Sequence, residues 1–137
     1  MALDVGEKTI GVALSDELGI VASPLVTVRR TGSEKADLRE VARLVEEHGV
    51  SKVVVGIPLM LSGAEAVQAG KARGFAAKLA RRVRVPIEMW DERLTTVEAE
   101  RALIEAGETR EQRGRSVDKV AAALILRSYL AAKGSDS

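Results

Sequence analysis

The run Val53-Val54-Val55, inside the segment Lys52–Ile57 and stopped by Pro58, limits the folds open to this chain more than any other feature. Consecutive β-branched residues are stiff about χ1 and favour a strand. Side chains of a strand point alternately to its two faces, so this strand is apolar on both. It needs cover above and below, which places it inside a sheet with helices on each side. The segments on either side of it read as helices. Ser33 is a good N-cap for a helix carrying Leu38, Val41, Ala42 and Val45, and Gly49 closes it. Ser62-Gly63-Ala64-Glu65 has capping-box spacing, and the helix it opens runs to about Arg82 with Ala72, Ala76, Leu79 and Val83 on one stripe.

Upstream, Ala2–Val5, Ile10–Leu14 and Ile20–Val28 read as three strands joined by turns bearing Gly or Asp. Downstream, Pro86–Asp91 is a short strand whose leading proline and polar Glu88 suit a sheet edge. Thr95-Thr96-Val97-Glu98 opens a further helix that Gly107 ends. A basic, glycine-containing loop follows, and Ser116 is expected to cap a last helix holding Val117, Val120, Ala121, Leu124 and Ile125. The order β-β-β-α-β-α-β-α-α predicts an α/β domain: a mixed five-stranded sheet with helices on both faces. Residues 1–132 make one domain, and 133–137 form a frayed tail.

Composition narrows the function. The chain has 137 residues and no cysteine, so disulfides, thiolate metal sites and a thiol nucleophile are excluded. His48 is the single histidine; it falls in the last turn of a helix, where it can favour the dipole, and a structural role is expected over catalysis. Phe75, Trp90 and Tyr129 are the only aromatics, too few for a base-stacking platform. No basic segment leads into an apolar run at the start, and no apolar run approaches the ~18 residues of a membrane span. A cytoplasmic location without a membrane partner is expected. Net charge is only +1, but it is segregated. From Ala66 to Ile87 there is no acid, while Lys71, Arg73, Lys78, Arg81, Arg82 and Arg84 lie in that stretch. Arg110, Arg113, Arg115 and Lys119 form a second basic stretch. Such segregation suits either a solvated helix face or a polyanionic partner.

Acids stand where strands and helices begin or end. Asp4 closes the first strand, Asp91 and Glu92 the last, and Asp118 lies at the start of the final helix. Strand ends on one side of an α/β sheet are where sites form. Carboxylates converging there repel one another unless a cation sits between them, and Mg²⁺ or Mn²⁺ prefers such oxygen ligands. Asp91 as a turn residue and Asp118 as a helix-dipole partner are the alternatives.

Four segments in order, Asp4–Asp16 (DVGEKTIGVALSD), Val54–Gly63 (VVGIPLMLSG), Asp91–Thr96 (DERLTT) and Ser116–Leu130 (SVDKVAAALILRSYL), resemble the YqgF/RuvX family of bacterial proteins. Members are described as Holliday-junction resolvases and as pre-16S rRNA nucleases. The resemblance implies an RNase H-like fold and a divalent-metal-dependent nuclease. It implies catalytic Asp4, Glu92 and Asp118, with Asp91 beside them as a further ligand for Mg²⁺ or Mn²⁺. Lys8, Arg93, Arg113 and Arg115 would then hold the nucleic acid. The family commonly has Lys-Arg where this chain has Lys8-Thr9, and Pro-Leu-Asn-Met-Asp-Gly where it has Pro58-Leu59-Met60-Leu61-Ser62-Gly63. The expected substrate is structured, ribosome-associated RNA, with the chain a monomer or homodimer. Branched four-way DNA is the alternative substrate, and a catalytically silent nucleic-acid-binding module the alternative function. A nucleotide-binding domain of the actin or hexokinase kind fits less well, because no later Gly-Gly run is present.

Overall fold

The computed structural model describes residues 1–57, 63–91 and 110–135. Five strands, β1 (Ala2–Val5), β2 (Thr9–Ser15), β3 (Ala22–Arg29), β4 (Val53–Ile57) and β5 (Ile87–Asp91), form one sheet in the order β3-β2-β1-β4-β5. The helices described are α1 (Glu34–Glu47), α2 (Ala64–Ala80) and α3 (Arg110–Ser135). β1 pairs antiparallel with β2 and parallel with β4, so the first strand of the chain is the central strand of the sheet. β5 is an edge, as its leading proline suggests.

The two faces of the sheet are separate cores. Val53 and Val55 join Leu3, Val5, Ile10 and Val12 on the face that α1 and α2 cover with Leu38, Val41, Phe75 and Leu79. Val54 points the other way, with Ala2 and Ala13, against Ala122, Ile125, Leu126 and Tyr129 of α3. The valine run therefore feeds both cores by strict alternation. Full burial of a side chain such as Phe75 or Leu79 contributes about 1.5–3 kcal/mol. The α3 face is lined by alanines on both partners, so the helix can lie close to the strands.

Local signals explain the helix ends. The Ser33 side chain accepts a hydrogen bond from the Ala36 N–H at 3.2 Å, the expected N-cap of α1. Gly49 follows the His48 C-cap with φ +58°, a left-handed conformation that favours glycine. Two expectations change. α2 begins after Gly63, with no side-chain cap bond, and Ser62 lies outside the described residues. Arg110–Arg115, expected as a loop, is helical, and Ser116 sits inside α3 instead of capping it. Arg110, Glu111, Gln112 and Arg113 are good helix formers, and the single Gly114 costs a helix only about 1 kcal/mol. The helix expected between Thr95 and Gly107 lies outside the described residues. α3 runs on through Lys133 to Ser135, into the segment for which a frayed tail is expected.

Candidate active site

Asp4 is the third of four residues in β1, half-buried, on the face that α3 covers. Its register neighbours have no side chain there. Gly11 of β2 lies directly opposite it. On β4, Leu3 pairs with Val55, and the next residue is the buried Gly56. A residue with a Cβ at either glycine would project to the same face as the Asp4 carboxylate, because in-register neighbours share a face. The carboxylate therefore stands in a slot cleared on both sides, at the carboxyl end of the central strand. Its oxygens are the kind of donor that a hard divalent cation takes.

Asp91 and the backbone position of residue 118 can be related to that slot. On β5, Ile87 and Met89 pack against the α1/α2 core, whereas Trp90 packs against the α3 core. Alternation puts Asp91 with Ile87 and Met89, on the face opposite Asp4. Glu92, two positions after Trp90, lies outside the described residues, as does Arg93. Position 118 lies within α3, at i, i+4, i+7 and i+11 with Ala122, Ile125 and Tyr129, which face the sheet. α3 runs antiparallel to β1, because Tyr129 reaches Lys52 and Glu88 at the starts of β4 and β5. Going back from 129 to 118 advances about 16 Å along the helix axis, toward the strand ends that carry Asp4. Arg113 and Arg115 lie on the turns before Asp118. Among the described residues no three acids or histidines come together as a metal site; Glu92 is not among them, and the Asp118 side chain is not described.

The turn after Asp4 is held from three directions. The Gly6 N–H donates to the Thr9 carbonyl at 2.8 Å, and a Cβ on Gly6 would meet that same oxygen at 3.0 Å. Arg30 donates through Nη1 to the Gly6 carbonyl at 2.9 Å and through Nε to Asp37 Oδ2 at 3.2 Å, with its guanidinium over the Phe75 ring. Gln68 of α2 donates to the Val5 carbonyl at 2.6 Å. Lys71 pairs with Glu7 at 3.3 Å. Lys8, the expected phosphate contact, is exposed at the tip of this turn. Asp37 also accepts from the Thr31 N–H and hydroxyl, both at 3.0 Å.

Sequence reasoning missed Arg30, Asp37 and Gln68. Their polar contacts join segments far apart in the chain, which no local pattern reports. It also missed the cluster beneath the slot. Trp90 lies edge-on to Tyr129, with ring centroids 5.2 Å apart, and its Nε1–H donates to the Ser128 hydroxyl at 3.2 Å. It packs against the core between the sheet and α3. The Tyr129 hydroxyl and the Lys52 ammonium hold Glu88 below the usual carboxylate range. His48 is exposed at the end of α1.

Residues 1–132 match the model of the RuvX family, described as Holliday junction resolvase. The chain is 46% identical over 134 residues to a protein of Pelotomaculum thermopropionicum named "Putative pre-16S rRNA nuclease", covering 98% of this chain and 87% of that one. A Myxococcus xanthus protein of the same name is 50% identical over 130 residues, covering 95% and 85%. Among solved structures, T. thermophilus RuvC in complex with a Holliday junction substrate superposes with a TM-score of 0.64 at 18% identity, over 96% of this chain and 93% of that one. A second Thermus thermophilus RuvC structure gives 0.54, also at 18% identity, over 96% and 94%. The likeness to RuvC shows an RNase H-like fold. By the family match over nearly its whole length, and by relatives close to half identical to it, this chain belongs to the RuvX family.

Proposed function

We propose that the chain is a divalent-metal-dependent nuclease that hydrolyses phosphodiester bonds in the 5′-end maturation of precursor 16S rRNA, working in the cytoplasm. The observation that carries this reading is the slot at Asp4: one carboxylate at the end of the central strand, with glycine in register on both neighbouring strands. The names of the relatives supply the substrate class.

The donor chemistry suits Mg²⁺ or Mn²⁺. Asp4, Glu92 and Asp118 offer only carboxylate oxygens, and the chain has no thiol and no second histidine to attract a softer ion. These three acids are assigned as the ligands. A divalent cation bound there supplies a Lewis acid that stabilises charge on the phosphate in hydrolysis. The chain's own contribution is position. Asp4 is fixed by β1 at the centre of the sheet, and Gln68 and Arg30 fix the turn behind it. Lys8, Arg93, Arg113 and Arg115 are assigned to the phosphates flanking the scissile bond, where they set register without reading sequence. Asp91 is assigned a lesser part than Glu92, because its strand phase turns it from Asp4.

The test is cleavage of a precursor 16S rRNA fragment with and without Mg²⁺ or Mn²⁺. Asp4→Asn is expected to lower the rate about a thousandfold, which is roughly 4 kcal/mol of barrier, with folding intact by circular dichroism. Glu92→Gln is expected to act similarly, and Asp91→Asn to stay within about tenfold, or roughly 1.4 kcal/mol. Full activity of Asp4→Asn would sink the scheme. The family description favours a second reading, resolution of four-way DNA junctions. A four-way DNA substrate cleaved faster than the RNA under the same conditions would select it.

A further inference from the structure

The face of the molecule opposite α3 carries a concentration of positive charge that the proposed active site does not use. α1 and the C-terminal end of α2 enclose two adjoining depressions that share Arg82. The larger has a volume of about 810 Å³ and reaches along α1 to Gly49 and Val50. Together their linings hold seven cations against two carboxylates, Glu34 and Glu46, in a chain whose net charge is +1. Two of the cations are neutralised locally. Arg43 pairs with Glu40 and Glu47, and Lys78 with Glu34. Lys35, Arg39, Arg81, Arg82 and Arg84 are all exposed and make no ion pair among the described residues.

Helix-end electrostatics account for part of this. Arg81 and Arg82 follow the last residue of α2, where a cation favours the helix dipole. That reason does not extend to Arg84, which lies beyond the helix, or to Lys35 and Arg39. Lys35 in particular is in the first turn of α1, where a cation is unfavourable. Their arrangement is a groove with a charged row on each wall. Lys35 and Arg39 stand one turn apart on α1, about 6 Å along its axis, comparable to the step between successive phosphates of one strand. Arg81, Arg82 and Arg84 form the other wall. Unpaired guanidiniums on both sides of a groove suit bidentate contacts to phosphate oxygens.

We propose that this groove is a second nucleic-acid contact, an exosite that binds the phosphate backbone of a folded RNA away from the bond to be cut. It rests on the reading of the chain as an RNA-directed nuclease. α2 begins after β4 and ends before β5, so its 17 residues span the length of the sheet, about 25 Å. The groove at its far end is thus at the opposite pole from Asp4 as well as on the opposite face. A substrate touching both must fold around the edge of the domain, or reach it through a second arm. Either route gives the enzyme a preference for large structured RNA over short fragments, through linked contacts that raise effective concentration.

The test measures binding of a labelled RNA stem-loop by fluorescence anisotropy, in EDTA so that no cleavage occurs, across a salt series. The variants are Arg39→Gln/Arg82→Gln/Arg84→Gln and the corresponding triple lysine. All three side chains are exposed, and thermal melting confirms that the fold is kept. The glutamine variant is expected to bind at least about tenfold more weakly, with the slope of log K against log salt reduced by about 2–3, one for each phosphate left without its cation. The lysine variant is expected to keep most of that slope, because charge is retained. Unchanged affinity and slope in the glutamine variant would overturn the exosite. So would unchanged RNA binding together with a loss of binding to phosphatidylserine vesicles, which would make the groove a lipid-facing surface. Failure of the nuclease reading shows separately, as a native chain that cleaves no RNA in Mg²⁺ or Mn²⁺ whatever the groove variants bind.

Discussion

Asp37 is the one buried charged residue among those described, and it shows how single contacts decide the geometry of the whole turn. Burial pushes its carboxyl up, but the Thr31 N–H, the Arg30 guanidinium and the Thr31 hydroxyl outweigh that and hold it below the usual range. Its folded pKa is thus lower than the unfolded value of about 3.9. The stability it contributes is complete above that value and is lost as pH falls through the folded pKa. Asp37→Ala would leave Arg30 without its carboxylate and Thr31 without an acceptor, at a cost of about 3 kcal/mol near neutral pH. Urea unfolding at pH 7 and pH 3 checks this, and the gap between native and variant narrows at the lower pH. A further effect belongs to Arg30, which also holds the Gly6 carbonyl and so the turn behind Asp4. At this scale the sequence is partly legible. Asp4 is recognisable because a lone acid on an apolar strand before a glycine turn has few innocent explanations. Asp37 reads only as one acid in an acidic helix, since its partners are named by the fold. Asp91 and Glu92 cannot be ranked until the strand phase is known from Trp90 and its core.

The elements themselves follow closely from local signals where one signal dominates. The valine run, the Ser33 cap and the Gly49 stop each place a boundary by a mechanism that needs no tertiary contact. The start of α3 is where local signals compete. Ser116 is a favourable cap and Gly114 a breaker, which argues for a loop before position 116. Arg110–Arg113 are helix formers, and burial of Ala122, Ile125 and Tyr129 anchors the helix they extend. Since most helical stability comes from packing of the apolar face, the longer helix wins. Gly114→Ala is therefore expected to raise stability by up to about 1 kcal/mol, read as a higher urea midpoint with no loss of helical circular dichroism. A loop at 110–115 would give no gain. The same length matters for the proposed site, because it makes positions 113, 115 and 118 parts of one helix rather than of a loop.

At the scale of the molecule, the sheet carries the proposed metal ligand on one face and the basic groove on the other, with no helix among the described residues long and apolar enough to cross a membrane. The fold class, the edge position of β5 and the two-sided cover were readable from alternation and periodicity. The groove was not, because its two walls come from helices joined only through the intervening strand. If Asp4 binds a cation in the native state, that ion stabilises the whole domain by mass action. At a concentration a hundredfold above its dissociation constant the gain is about 2.7 kcal/mol, so melting in Mn²⁺ should rise for the native chain and not for Asp4→Asn. The strand order has a further consequence, for the order of assembly. The parallel neighbour of β1, β4, lies some fifty residues after it in the chain, and α3, which covers its Asp4 face, follows later still. The hairpins of β1–β3 can pair early, but long-range parallel pairing and helix docking come late. Asp4 thus stays uncovered until α3 docks, and the proposed site can close only once the rest of the sheet is assembled.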